Sequence, residues 1–280
     1  MRKYFILILL VNFGCALNSA TKISSVKLEP DHFKNMNACF LLYNMKTKKF
    51  ERVYGEERCK EQVAPCSTFK VPLAIMGFDS GSLKDEHTEF KWDGEKRIID
   101  SWNQDHTAET WMKNSVVWYS QKLTPKIGEK KILKYLNDFL YGNRDFSGGL
   151  SDAWLTSTPF SKAMVKSTLR ISAYEQIQFM EKLWSKKLPV SRRAMELTQK
   201  ITFLENSVNG FSLHGKTGSG FVEHDLNLRI GWFVSHIEGK GKEYLSVLTF
   251  TDTVKPDKVS YAGLQSKELT KKILAEEGLW

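Results

Sequence analysis

Short apolar runs stand near both ends of the chain, and between them apolar residues recur at helical spacing. Ala38–Asn44 and Phe50–Tyr54 read as two strands around a lysine-rich turn at Met45–Lys49. Phe211–Lys216, Leu228–His236 and Tyr244–Phe250 read as three more, each bounded by Gly or turn residues. Between the two groups a helix is expected from Pro65 to about Phe78, stopping before Asp79-Ser80-Gly81. Residues 80–104 carry Gly, Asp and Trp and read as loop. A helical segment follows over Thr107–Lys122, with Trp111, Val116, Val117 and Tyr119. Glu129–Leu140 sets Ile132, Leu133, Leu136, Phe139 and Leu140 on one side and ends at Tyr141-Gly142-Asn143, where glycine accepts a left-handed conformation. Residues 142–161, rich in Gly, Ser, Thr and Asp, read as a surface loop that holds one anomalous residue, Trp154. The last helices are marked by Ile171–Trp184, Ser191–Lys200 and Lys267–Glu277. Strands at both ends with a helical middle predict one α+β unit, its antiparallel sheet built from the N-terminal hairpin and the C-terminal strands.

The N-terminus adds a processing signal. Arg2 and Lys3 precede an apolar run from Tyr4 to Phe13 and then the small residues Gly14, Cys15 and Ala16. That is the order of a secretory signal, too short to span a bilayer, with cleavage expected after Ala16 or Ala20. Acylation at Cys15 is disfavoured by Phe13 in the lipobox position. No later stretch is long and apolar enough for a membrane helix, so a secreted or periplasmic protein without a membrane span is expected, with residues 21–280 as one domain. Of the cysteines, Cys39, Cys59 and Cys66 survive cleavage; an oxidising compartment allows one disulfide and leaves one thiol, with the pairing open. The net charge of +9 is scattered over interleaved lysines such as Lys126–Lys134, which read as solvated helix faces and not as a nucleic-acid surface. The histidines His32, His87, His106, His214, His224 and His236 show no metal spacing. Only His214, two before Lys216 on one strand face, falls near the chemistry described next, and a structural role is expected for it.

Candidate chemistry starts at Ser67 and Lys70, three apart on one helical face. A serine hydroxyl needs an adjacent base, and a lysine one turn on supplies it if burial lowers its pKa. The spacing alone is unspecific, since Ser19–Lys22 and Ser24–Lys27 share it. Cys66, beside Ser67, lacks the local context of a papain-like or caspase-like nucleophile.

Further short motifs follow in order: Ser67-Thr68-Phe69-Lys70, Ser115-Val116-Val117, Tyr141-Gly142-Asn143, Trp154-Leu155 and Lys216-Thr217-Gly218. With Arg170-Ile171-Ser172 and Gly231-Trp232-Phe233 as flanks, this series resembles the class D (oxacillinase-type) serine β-lactamases from about residue 37 onward. The resemblance implies the penicillin-recognising serine-enzyme fold, a small-molecule β-lactam substrate, no metal, and a monomer or homodimer. It implies Ser67 as nucleophile and Lys70 as base, N-carboxylated by carbon dioxide or bicarbonate. Trp154 is then the donor that holds the carbamate. Ser115 and Lys216 serve protonation of the leaving nitrogen, and the backbone N–H groups of Ser67 and Ser219 form the oxyanion hole. Val116, Thr217, Gly218, Ser219, Phe69, Leu155, Trp102 and Tyr141 are the expected substrate contacts.

One departure stands out. The family usually meets the substrate carboxylate with an arginine near the start of the last helix, and this chain has none after Arg229. Lys267, or Thr217 and Ser115 with Lys216, are the expected replacements, a lysine being a point charge and not a bidentate fork. Two related classes share the nucleophile and lysines: penicillin sensor domains that hold their acyl group, and peptidoglycan peptidases or transpeptidases. The first are usually tethered to a transmembrane module, and the second lack the Trp154 partner.

Overall fold

The computed structural model describes residues 30–156, 167–223, 225–257 and 260–280. The expected signal segment with its cleavage points, Cys15, the Ser19–Lys22 and Ser24–Lys27 pairs and His224 lie outside the described residues. Strands β1 (Met36–Asn44) and β2 (Lys49–Tyr54) form the expected hairpin. β1 is buried on both faces, which is why its sequence is a continuous apolar run and not an alternating one. Helix α1 (Glu56–Lys60) follows, and its Cys59 forms a disulfide with Cys39 on β1, leaving Cys66 as the free thiol.

Helix α2 (Lys70–Asp79) starts later than Pro65. Cys66 sits at φ 51, so only a 3-10 turn over Cys66–Phe69 leads into the helix. Within residues 80–104 and just beyond, two short strands, β3 (Glu89–Phe90) and β4 (His106–Thr107), pair in a small sheet too brief to show a period. The segment expected as one helix over Thr107–Lys122 is two: α3 (Ala108–Asn114) and α4 (Val117–Ile127). The break is Ser115, left-handed at φ 56, with Val116 N–H closing onto Trp111 O at 3.1 Å. Apolar spacing continues on both sides of it, so periodicity alone shows no break.

Helix α5 (Glu129–Phe139) ends on a left-handed Leu140, and Gly142 follows at φ 53. A Cβ at 142 would lie 1.9 Å from the Arg170 carbonyl oxygen, so only glycine fits there. Asn143 N–H donates to that same carbonyl at 2.9 Å, which joins the two ends of the Trp154 loop. Helix α6 (Ala173–Trp184) opens with a capping box between Ser172 and Glu175, and α7 (Arg192–Ile201) follows. Strands β5 (Phe203–Asn206), β6 (Ser212–Val222), β7 (Asp225–Gly239) and β8 (Lys242–Asp252) precede the last helix, α8 (Ala262–Glu276). β5 was not expected, because it carries no apolar run.

The main sheet runs β2-β1-β8-β7-β6-β5, so the N-terminal hairpin does join the C-terminal strands, through β1 against β8. One sheet face packs under α8, with Leu248, Phe250, Ile273 and Leu274 in its core. The opposite face meets the helical region through Ile75, Trp111, Leu136, Ile177 and Val234. The candidate site lies where β6 passes the turn before α2. Among the described residues no helix is long and apolar enough to cross a membrane.

Candidate active site

The 3-10 turn presents Ser67 half-buried, while Lys70, the first residue of α2, is enclosed at 0% exposure. Lys70 Nζ donates to Ser67 Oγ at 3.0 Å. Burial, reinforced by the nearby Lys216 charge, holds the Lys70 amine well below the ordinary lysine range. A neutral amine within hydrogen-bond reach of a serine hydroxyl can take its proton, which a solvated ammonium cannot.

A second serine–lysine pair faces the first. Ser115 stands at the α3–α4 break, and its Oγ accepts from Lys216 Nζ at 2.9 Å. Lys216, on β6, also donates to the Thr217 carbonyl at 3.1 Å. Its amine is pushed down to about 7 by burial. Where it holds its proton it is an acid that can supply Ser115; the two pairs therefore combine a base and an acid in one place.

β6 runs close beside the nucleophile turn. A Cβ on Gly218 would lie 3.0 Å from the Pro65 carbonyl oxygen. A Cβ on Gly220 would lie 2.0 Å from Thr156 Oγ1 and 2.9 Å from Cys66 Sγ. A Cβ would crowd the turn at Gly218 and collide with the loop at Gly220, where backbone and loop press together. Ser219, between them, accepts from Gly263 N–H at 2.8 Å through its side chain, which fastens β6 to α8. Thr156 Oγ1 accepts from Phe221 N–H at 3.1 Å, fastening the Trp154 loop to the same strand.

Trp154 is fully buried, not exposed on its loop. Its ring centroid lies 5.4 Å from that of Phe69 and 6.1 Å from that of Phe146. Its Nε1–H has no hydrogen-bond partner among the described residues. A buried donor left unpaired is destabilising by about 1–3 kcal/mol, so a group that accepts from it is a gain. Phe69 and Val116 are likewise fully buried, and Leu155 is partly so. Trp102 is half-buried, and its Nε1 donates to the Asn114 carbonyl at 2.9 Å.

Two expected residues, Tyr141 and Lys267, are placed elsewhere. Tyr141 is not a cleft wall: it is fully buried against Phe69 and Phe179, and its hydroxyl accepts from Gln176 Nε2 at 3.3 Å. That same Gln176 nitrogen donates to Thr68 Oγ1 at 3.0 Å, so Tyr141 braces the nucleophile turn from behind. Lys267 is not brought to Ser67: it forms an ion pair with Glu205 on β5 at 2.8 Å, shared with Lys271. His214 turns to the Gln199 carbonyl and lies edge-on to Trp184. Arg229, the last arginine, is enclosed with Asp252 at 2.7 Å and also bonds Ser260 and Gln265. Cys66 is buried, and its thiol is pushed up to about 12, which keeps it protonated and unreactive. Gln176 and Thr156 support the site without any motif to mark them; only the folded chain brings them there.

Residues 38–275 match the penicillin binding protein transpeptidase domain family. The sheet, the helical region and the two serine–lysine pairs are thus those of a penicillin-recognising serine protein. Among proteins similar to this chain, β-lactamase OXA-1 of Escherichia coli is 40% identical over 256 residues, 89% of this chain and 88% of that protein. Probable β-lactamase YbxI of Bacillus subtilis (strain 168) is 34% identical over 249 residues, 89% of this chain and 84% of that protein. The solved class D β-lactamase BAT-2 superposes with a TM-score of 0.79 at 32% identity, covering 93% of this chain and 99% of that one. The chain belongs to the class D β-lactamases.

Proposed function

We propose that this protein hydrolyses the ring amide of penicillin-type β-lactams through an acyl-enzyme on Ser67. The reading is carried by the 3.0 Å bond between Lys70 Nζ and Ser67 Oγ, made by a lysine that is wholly enclosed and driven towards its neutral amine. The names of its relatives, each called a β-lactamase, support it.

Ser67 Oγ gives its proton to the Lys70 side chain as it bonds to the lactam carbonyl carbon. The backbone N–H groups of Ser67 and Ser219 take the developing oxyanion. When the C–N bond breaks, the nitrogen receives a proton from the Ser115 hydroxyl, which recovers one from Lys216 across their 2.9 Å contact. Once the nitrogen is protonated, the proton held by the Lys70 side chain passes back to Lys216, which resets both groups. Water then attacks the ester carbonyl as the Lys70 side chain takes its proton and hands it to Ser67 Oγ, which leaves as the alcohol. With Arg229 and Lys267 committed to Asp252 and Glu205, the substrate carboxylate is assigned to Lys216, Thr217 and Ser115.

The neutral amine of Lys70 is the form that combines with carbon dioxide, and Trp154 Nε1 is the unpaired donor that fits the product. Carbon dioxide bound at Lys70 Nζ supplies an anionic base there, stronger than the bare amine in an enclosed site. The exported form is taken as residues 21–280. Purified, it should turn over a chromogenic cephalosporin many times per molecule. Activity should fall when dissolved carbon dioxide is removed and return with bicarbonate. One stoichiometric burst without turnover would assign the protein to the acyl-holding sensors instead, and indifference to bicarbonate would leave Lys70 an unmodified amine.

A further inference from the structure

Asn114 is the last residue of α3, and its carbonyl is one that a helix C-terminus leaves without an intrahelical donor. Trp102 Nε1 supplies that donor at 2.9 Å. The next residue, Ser115, is held at φ 56, a conformation that a non-glycine residue keeps only where its surroundings enforce it. One peptide unit therefore carries Trp102 on its carbonyl side and aims the Ser115 hydroxyl at Lys216.

Trp102 is itself held in place. Its carbonyl accepts from Trp118 Nε1 at 2.9 Å, and the preceding Ser101 carbonyl accepts from His106 Nε2 at the same distance of 2.9 Å. His106 Nδ1 meets Thr110 Oγ1 at 3.0 Å, and burial pushes the imidazole pKa down, so the neutral ring that makes both contacts is favoured. Trp118 and His106 are 2% and 1% exposed, so neither faces the cleft. Their bonds to the Trp102 and Ser101 carbonyls tie them to the turn that carries Trp102.

We infer that Trp102 is a positioning residue for Ser115: its indole N–H, aimed by Trp118 and His106, fixes the left-handed Asn114–Ser115 peptide so that the Ser115 hydroxyl stays on Lys216. A residue that merely walls the cleft needs the ring of Trp102; this role needs the N–H. The inference rests on the proposed function for its kinetic arm, and on the fold alone for its titration arm.

The test uses Trp102→Phe, Trp118→Phe and the double variant, with acylation rates from single-turnover mixing against a chromogenic cephalosporin. Each single change should slow acylation about three- to tenfold, the worth of one hydrogen bond, with a smaller effect on substrate binding. The double variant should be no slower than the worse single, since both act through one bond. On a Ser115→Ala background, Trp102→Phe should have no further effect. Titration of side-chain 15N-labelled lysine by NMR needs no substrate. There the Lys216 transition should move to lower pH in both single variants, because its ammonium loses an acceptor. Wild-type acylation together with an unmoved Lys216 titration in Trp102→Phe overturns the inference, as does an effect on substrate binding alone. Multiplying effects in the double variant remove Trp118 from it. If the wild-type protein does not turn over β-lactams, the functional reading fails, while the titration still decides this one.

Discussion

Two enclosed lysines without a carboxylate partner among the described residues stand behind Ser67 and Ser115. Elsewhere in the protein a buried cation is paired, as Arg229 is with Asp252. Lys70 and Lys216 have no such partner, and their enclosure is useful. Burial, with the Lys216 charge adding to it, keeps the Lys70 amine deprotonated beside the nucleophile, while Lys216, lowered by burial to about 7, still exchanges a proton near neutrality. Trp154 completes this arrangement as an unpaired donor. Trp154→Phe keeps a ring against Phe69 and Phe146 but removes the N–H. Acyl-enzyme should then accumulate, with deacylation slowed about tenfold or more and more bicarbonate needed for half-maximal activity. Quenched-flow mass spectrometry reads the acyl fraction directly. An unchanged fraction would make Trp154 a packing residue only.

At the level of elements, residues that touch through short sequence separations were readable beforehand, and residues that meet across the fold were not. Ser67 and Lys70 stay in reach although the expected helix start is a 3-10 turn, because either geometry brings positions three apart together. The α3–α4 break at Ser115 leaves no trace in the hydrophobic period, since one left-handed residue shifts direction without adding a polar gap. Lys267 looked available because nothing in its neighbourhood along the chain reveals Glu205, which β5 brings to it. Tyr141 looked like a wall for the same reason: Gln176 and Phe179, which enclose it, come from α6. Gly142 was read as a helix stop, and its larger duty is contact with the far end of the loop. Gly142→Ala would drive a methyl into the Arg170 carbonyl from a left-handed backbone. A loss of about 2–4 kcal/mol in stability is expected, with the melting temperature as the measure. A wild-type melting temperature would mean that the loop ends separate freely.

For the molecule as a whole, the site is a source of instability. Unfolded, Lys216 keeps its proton up to the ordinary value of 10.5, whereas folded it gives the proton up at about 7. Between those values the unfolded chain binds more protons, so stability rises with pH across the window and is lowest below about 7. Lys216→Met removes this term. The variant should be inactive yet more stable than wild type, by roughly 3–5 kcal/mol at pH 6, with the gap closing towards pH 10. Thermal melts across that range decide it, and a gap independent of pH would sink the account. The sheet order has a different consequence, one of timing. β1, early in the chain, takes β8, the last strand among the described residues, as its neighbour along its whole length. A ribosome must therefore deliver almost all of the polypeptide before the middle of the sheet can exist. Until then β1 has an open edge and the nucleophile turn has no β6 beside it. Such a chain stays extensible for as long as it is being made.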